Sequence, residues 1–201
     1  MIRTSISVAI CSSYYEAGNP RRSVAPDVFV VKGIPGGRRR IYKLWEEGQP
    51  PDIVFEVTSR STRSEDLRTK HDLYERLGVA EYFLFDPLGE YLRPPFQGHR
   101  LTQDHYIALQ PAADGSLWSA VLELELHPRG ESLRLFDPAG QRWLPTPQEE
   151  TVARRAAELR AATAEARMAT EADARQVAEA RTATVEAELA RIRAQLDKLT
   201  S

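Results

Sequence analysis

The sequence predicts a mixed α/β fold in which helices flank a β-sheet and one long helix follows. Two runs rich in β-branched residues, at positions 27–31 and 52–57, each come directly after a proline and are typical of buried strands. The second run leads into a helical pattern that ends at Gly78, and a third apolar run follows at 81–85. Such a strand–helix–strand step predicts a right-handed crossover between two parallel strands.

The composition is that of a globular protein with one medium domain and an extension. The chain has 201 residues, of which 42% are hydrophobic, and its formal net charge is −2. Any contact with nucleic acid must therefore come from a local basic patch. Cys11 is the only cysteine, which excludes an intramolecular disulfide and a cysteine-based zinc site. These features predict a cytoplasmic protein, and no apolar run is long enough to cross a membrane.

A carboxylate lies within the second apolar run. Because side chains alternate along a strand, Glu56 points away from the face of Phe55 and Val57. Burying a carboxylate is costly unless a cation, a metal or hydrogen-bond donors lie beside it. Glu56 is therefore the first candidate for a functional residue.

The helix after this strand carries a lysine on its apolar stripe. Thr62 and Ser64 are both suitable N-caps for this helix. Lys70 lies three residues after Leu67 and four before Tyr74, so the three side chains share one face. A lysine at this position either reaches out to water from the edge of the stripe or faces the sheet. Spacing alone leaves both interpretations open.

The first apolar run begins with a carboxylate of its own, Asp27. Two adjacent strands would then each offer one carboxylate, and the next helix would bring Lys70. Two carboxylates can hold a divalent metal, and a lysine can orient a metal-bound water or take its proton. This set of groups favours metal-assisted phosphodiester hydrolysis. In the alternative interpretation, Asp27 and Asp52 are turn or strand-start residues and Glu56 forms a structural salt bridge with Lys70.

Several motifs follow one another along the chain: APDVFVV, PPDIVFEVTSRST, DLRTKHDLYERLGVAEYFLFDP and FQGHRL. Through them the chain resembles, over roughly residues 13–145, the Uma-two family, a branch of the PD-(D/E)XK nuclease superfamily that is abundant in bacteria. The resemblance implies a restriction-endonuclease-like mixed β-sheet and an endonuclease that cuts DNA with Mg²⁺ or Mn²⁺.

The resemblance also implies roles for single residues. Asp27 matches the first metal-binding carboxylate and Glu56 the acidic residue of the (D/E)XK half-motif, with the backbone carbonyl of Val57 as a further metal ligand. Thr58 stands where the superfamily usually has its lysine, and the family's lysine on the next helix corresponds to Lys70.

One expected element of the family is missing. Family members normally carry a helical segment before the first strand, often with an acidic residue that joins the site, and this sequence begins after it. The alternative to an active nuclease is therefore a catalytically weak or inactive module that binds DNA or interacts through its last helix.

A glycine-hinged loop after the first carboxylate strand carries clustered positive charge. Arg38, Arg39, Arg40 and Lys43 could follow a phosphate backbone, because contacts from lysine and arginine to phosphate carry nonspecific affinity. A solvated surface loop is the alternative interpretation.

The sequence from residue 105 onward predicts short strands and then a separate helical segment. Residues 105–109, 118–126 and 132–136 have strand patterns, and 137–140 have the pattern of a hairpin turn. Prolines near position 145 predict a boundary between a domain at 1–145 and a helix at 146–201. After Pro147 the sequence is rich in alanine, glutamate and arginine and contains no glycine or proline, as in one long helix.

The end of this helix has the spacing of a coiled-coil seam, which comprises Val185, Leu189, Ile192, Leu196 and Leu199. The seam is weaker in the middle of the helix, where alanine, threonine and arginine occupy it. The helix could pair chains into a homo-oligomer, fold against its own domain, or stay solvated.

Overall fold

The chain divides after Leu144 into two compact units. The computed structural model describes residues 6–35, 37 and 39–200, and the side chains of residues 7–35, 37 and 39–193. The strands are β1 (Ile6–Ala9), β2 (Ser12–Tyr14), β3 (Ser23–Val24), β4 (Val28–Lys32), β5 (Ile41–Lys43), β6 (Ile53–Val57), β7 (Glu81–Phe85), β8 (Phe96–Thr102), β9 (His105–Ala108), β10 (Leu117–Ser119), β11 (Leu124–Arg129), β12 (Ser132–Asp137) and β13 (Arg142–Trp143). The helices are α1 (Leu44–Glu47), a π-helical segment (Glu65–Lys70) that continues into α2 (His71–Leu77), and α3 (Pro147–Thr200).

A six-stranded sheet forms the centre of the first unit. Its strand order is β1-β4-β6-β7-β8-β9, and β6 and β7 pair in parallel while the other neighbours are antiparallel. The β6–helix–β7 segment is therefore the predicted crossover between parallel strands. The mixed α/β fold class and the long C-terminal helix predicted from the sequence are both confirmed.

The helical crossover covers one face of this sheet. Alternate residues of neighbouring strands, such as Phe29, Val54 and Tyr82, point to this face and are fully buried there with Tyr74 of α2. Gly78 ends the helix with φ of 81°, which is the left-handed conformation that glycine adopts without strain.

The start of the helical segment differs from the prediction. No side-chain cap precedes the π-helical residues Glu65–Lys70, and Arg63 and Ser64 before them are already helical. The hydroxyl of Thr62 instead accepts the N–H of Ser59 at 3.0 Å, within the loop that precedes the helix. The predicted cap at Thr62 or Ser64 is therefore wrong, because the loop uses the threonine hydroxyl for its own turn.

A second sheet covers the other face. Strands β10 to β13 form an antiparallel sheet in sequence order, and a second core lies against it, with Ile53, Phe83, Leu117 and Leu126 fully buried. Gly98 of β8 permits this close packing, because a Cβ atom there would lie only 2.8 Å from the ring of Phe83.

The predicted strand at 118–126 is two strands. Glu123 has φ of 58° and donates its N–H to the carbonyl of Ser119 at 2.9 Å, which makes a turn between β10 and β11. The hydroxyl of Ser119 also accepts the N–H of Leu122. Alternating leucines predict a continuous strand but carry no signal for this turn. The hairpin turn predicted at 137–140 does join β12 to β13.

The second unit is the single helix α3 of 54 residues. Thr146 and Glu149 form a reciprocal capping box at its start: the hydroxyl of Thr146 accepts the N–H of Glu149 at 3.2 Å, and the Glu149 carboxylate accepts the N–H of Thr146 at 2.7 Å. Pro147 occupies the first turn, where its missing N–H costs nothing. Within the described part of the chain, no helix combines the length and the apolar character needed to cross a membrane.

Candidate active site

Strands β4 and β6 bring Asp27 and Glu56 to neighbouring positions on the sheet. Val28 pairs with Phe55, so continuing the register by one residue places Asp27 opposite Glu56. Both belong to the face that the helical crossover covers. Asp27 is exposed, and its Oδ2 accepts the N–H of Val57 at 2.7 Å.

Glu56 is buried and both of its carboxylate oxygens have donors from the helical segment. Lys70 Nζ donates to Oε2 at 2.9 Å, and the hydroxyl of Tyr74 donates to Oε1 at 2.8 Å. Glu56 is 2% exposed and Lys70 is 8% exposed, so the interpretation in which Lys70 reaches out to water is wrong. The strand and the helix stripe therefore bring Glu56 and Lys70 into direct contact.

Sequence reasoning missed a second buried carboxylate in this cluster. Lys70 Nζ lies 3.0 Å from Asp66 Oδ1, and Asp66 is 1% exposed. This contact is an ion pair by distance, although neither oxygen of Asp66 makes a well-directed hydrogen bond within the described residues. The Tyr82 hydroxyl donates to the Asp66 main-chain carbonyl at 3.0 Å. The spacing of four residues from Asp66 to Lys70 to Tyr74 was the available signal.

The pKa values reflect one cation between two buried carboxylates. Burial raises the pKa of Glu56 to about 7, although hydrogen bonds from Lys70 and Tyr74 act against this and Asp66 adds to it. Burial lowers the pKa of Lys70, but Glu56 and Asp66 raise it by more, so the net shift is upward. The ammonium stays charged, while Glu56 changes its charge near neutral pH.

A surface groove of about 470 Å³ leads to this cluster. Lys70 lies at its wall, between the helical segment and the hairpin of β2 and β3. The remaining lining residues are Ser12, Tyr15, Ser23, Val24, Ala25, Glu65, Thr69 and Leu73. Lys70 is thus the member of the cluster that borders this groove.

The basic loop is largely paired with acidic residues of its own unit. Arg39 makes a two-point contact with Glu47, with Nε at 2.6 Å and Nη2 at 3.2 Å, and Lys43 Nζ donates to Glu46 at 2.7 Å. Arg40 is exposed. Arg38, the fourth cation of the predicted DNA contact, lies outside the described residues. A phosphate would have to compete with these carboxylates for Arg39 and Lys43.

The candidate metal ligands fit a hard divalent cation by donor type. Mg²⁺ is usually bound through one or two carboxylates and keeps several waters. The N–H and the carbonyl of a strand residue point toward the same neighbouring strand, so the carbonyl of Val57 faces the side of Asp27. Among the described residues, no three His, Cys, Asp or Glu side chains lie close enough to hold a metal together. Asp27, Glu56 and the Val57 carbonyl would therefore share the ion with water or phosphate oxygens.

A protein-family model described as "Uma2: Putative restriction endonuclease" matches residues 5–158 of the chain. The chain belongs to the Uma2 family. This match confirms the Uma-two resemblance predicted from the sequence motifs. Among solved structures, the Uma2 chain is similar to "a putative nuclease belonging to DUF820" from Anabaena variabilis, with 16% identity, a TM-score of 0.44, and coverage of 63% of this chain and 67% of that one. No curated protein matches this Uma2 chain significantly.

Proposed function

We propose that the chain is an Mg²⁺- or Mn²⁺-dependent endonuclease that hydrolyses phosphodiester bonds of DNA. Membership of the Uma2 family supports a nuclease, and the observation that carries the proposal is the buried contact of Lys70 with Glu56, one strand away from Asp27. A cytoplasmic location belongs to the same proposal, since a chain with one cysteine makes no intramolecular disulfide.

In this proposal the carboxylates of Asp27 and Glu56 and the carbonyl of Val57 hold the metal. When bound, the metal lowers the pKa of a water and stabilises the charge that develops on the scissile phosphate. Lys70 orients the attacking water by donating a hydrogen bond to it. Tyr74 and Asp66 are positioning residues: Tyr74 holds one oxygen of Glu56, and Asp66 holds the ammonium of Lys70.

Binding of DNA is assigned to the basic residues at 38–43, between β4 and α1. Arg40 meets phosphate directly, whereas Arg39 and Lys43 first release Glu47 and Glu46. The Lys43–Glu46 pair is largely exposed, and such a surface pair is worth only about 0–1 kcal/mol, so Lys43 can exchange it for a phosphate contact. The Arg39–Glu47 pair is a two-point contact that is mostly buried, so Arg39 is held more firmly.

The decisive experiment measures metal-dependent cleavage of plasmid DNA, with linear duplex, single-stranded DNA and RNA as further substrates. Asp27→Asn is the sharpest variant, because Asp27 is exposed and an asparagine oxygen can still accept the N–H of Val57. We expect this variant and Glu56→Gln to lower cleavage by about 10²-fold or more while DNA binding is retained.

Lys70→Met tests the third residue. We expect it to lower the cleavage rate by about 10²-fold or more, with a smaller effect on metal affinity. Lys32→Met is the matched control, because Lys32 belongs to the opposite face of the sheet. Cleavage that persists in EDTA and in all three variants would show that the chemistry lies elsewhere.

A second candidate function is a catalytically weak or inactive module that binds DNA or interacts through α3. The observation in its favour is that both oxygens of Glu56 already have donors, as in a structural salt bridge. DNA binding without cleavage in Mg²⁺ or Mn²⁺ would support this candidate over the first.

A further inference from the structure

Helix α3 exposes an apolar stripe along its C-terminal part. Every described side chain from residue 152 to residue 193 is exposed, and Val185, Leu189 and Ile192 are 56%, 50% and 47% exposed. Their alternating spacing of four and three residues defines the d, a and d positions of a heptad repeat. At 1.5 Å per residue, the stripe from Val185 to Leu199 runs for about 20 Å along the helix.

The charges on either side of this seam are sorted by sign. In the heptad register set by Val185, the e positions are mainly acidic and the g positions are mainly basic. The charged e positions are Glu158, Glu165, Glu179, Glu186 and Arg193, and the charged g positions are Arg160, Arg167, Arg181 and Glu188. The one reversal on each side, at Glu188 and Arg193, falls in the last part of the helix.

We propose that α3 pairs with α3 of a second copy of this chain as a parallel, in-register, two-stranded coiled coil. In that arrangement each g residue faces the e residue five positions later on the partner helix. The charged pairs that result are all of opposite sign: Arg160 with Glu165, Arg181 with Glu186, and Glu188 with Arg193. Every other charged e or g side chain meets an uncharged residue.

Other arrangements bring like charges together. In an antiparallel pair, e faces e and g faces g, so the acidic positions meet acidic ones and the basic positions meet basic ones. Sliding two parallel helices by one heptad places Arg181 against Arg193 on one side of the seam and Glu188 against Glu186 on the other. Among these three, the in-register parallel pair is the arrangement in which no like charges meet between the e and g positions. Within the seam itself, Arg154 and Arg175 at a positions and Glu171 at a d position each face their own copy, which weakens the pairing there.

Polar residues in the middle of the seam also help to set the register of the two helices. Arg175 and Thr182 occupy a positions there, and polar residues at a positions set register and strand number at a cost in stability. The d positions Ala164 and Ala178 are small, which lets the two helices approach closely. The pairing energy is therefore concentrated at the C-terminal end, where the seam is fully apolar.

Cysteine cross-linking tests both the pairing and its direction. In a Cys11→Ser background, Ala164→Cys and Ala178→Cys each place one thiol at a d position, and Ala166→Cys and Ala180→Cys place it two residues further, on the outer surface. Under oxidation with copper phenanthroline, we expect both d variants to form covalent dimers at least tenfold faster than their outer controls. An antiparallel pair cannot bring both d positions next to their own copies, so cross-linking at one of them alone, or at neither, overturns the proposal.

Charge exchange gives an independent measurement on the intact chain. Arg181→Glu sets two glutamates against each other on both sides of the seam, and we expect it to weaken dimerisation about tenfold in sedimentation equilibrium. Adding Glu186→Arg to the same chain restores opposite charges and should restore the affinity. A wild-type mass that stays at the 22.6 kDa of one chain at micromolar concentration, or no rescue by the double variant, contradicts the proposal. Neither readout depends on nuclease activity, so this inference stands or fails separately from the proposed function.

Discussion

At the scale of single residues, the first unit (residues 1–144) buries charged and polar side chains that are exposed to water in most domains. His99 of β8 lies among aromatic rings, with His71 at 5.0 Å between ring centroids and Tyr106 at 6.1 Å. Its Nδ1 is buried without a hydrogen-bond partner within the described residues. Burial, with His71 nearby, lowers the pKa of His99 to about 4. The imidazole is therefore neutral in the folded protein over a range where it is protonated in the unfolded chain.

We predict that His99 makes the protein less stable in mild acid. Because the pKa in the folded state lies below the unfolded value of about 6.5, the unfolded state binds the extra proton. The contribution of His99 to the free energy of unfolding is thus fully present above pH 6.5 and is lost as the pH falls toward 4. His99→Phe keeps a ring but cannot titrate, so the difference in melting temperature between variant and wild type should grow in favour of the variant from pH 7.5 to pH 5.

Thermal unfolding at both pH values, followed by circular dichroism, measures this difference. His105→Phe is the control, because His105 is exposed. Equal losses of stability on acidification in wild type and His99→Phe would refute the prediction.

At the scale of elements, a buried carboxylate joins the central six-stranded sheet to the sheet of β10 to β13. Glu81 of β7 is fully buried, and it accepts hydrogen bonds from Arg100 of β8 at 3.0 Å, from the Ser119 hydroxyl and from the N–H of Ala120 at 2.9 Å. Arg100 also donates to the carbonyl of Trp118. One carboxylate therefore fixes the position of β10 relative to the central sheet, on the face opposite the candidate site.

Removing the hydroxyl of Ser119 should loosen this junction. Ser119→Ala leaves an oxygen of Glu81 and the N–H of Leu122 each without that partner, and an unsatisfied buried group costs about 1–3 kcal/mol. We expect a loss of this size in the free energy of unfolding, measured with urea. Ser132→Ala, at an exposed position of the same sheet, should change it by no more than about 0.5 kcal/mol. A similar effect of both substitutions would show that the junction contributes little.

At the scale of the whole molecule, the chain consists of a mixed α/β unit and a helix that forms a second unit. The capping box at Thr146 and Glu149 begins the second unit, three residues after the last strand, β13. Within the part of the chain whose side chains are described, the two cores of the first unit are built from residues before position 136.

We predict that deleting residues 149–201 leaves a folded first unit. Its unfolding should remain cooperative and its melting temperature should change by only a few degrees, because the core residues described in the first unit all lie before position 136. Light scattering should then report the mass of one truncated chain, against a dimer for the full chain. Loss of cooperative unfolding would show that the first unit needs α3, and an unchanged dimer would place the pairing surface in the first unit.

The sequence by itself determined the parts of this protein that depend on local patterns. Alternation in β-branched runs identified β4 and β6, and helical spacing placed Lys70 on one stripe with Leu67 and Tyr74, although the structure was needed to show that Lys70 turns inward to Glu56. Gly78 marked the end of the helix, and the change of composition near Pro145 marked the start of α3. These signals succeed because backbone sterics and side-chain periodicity act between residues that are close in the chain.

Tertiary structure alone decided which distant groups meet. The burial of Asp66 beside Lys70 follows from packing of the helical segment on the sheet, and the π-helical turn has no signature in composition. The pairing of Glu81 with Ser119 joins residues 38 positions apart, and the turn at Glu123 that divides β10 from β11 depends on that packing. A buried polar group forms its hydrogen bonds with the groups that the packed elements bring within about 3 Å. The sequence shows which groups are polar, but it does not show which partner each one will have.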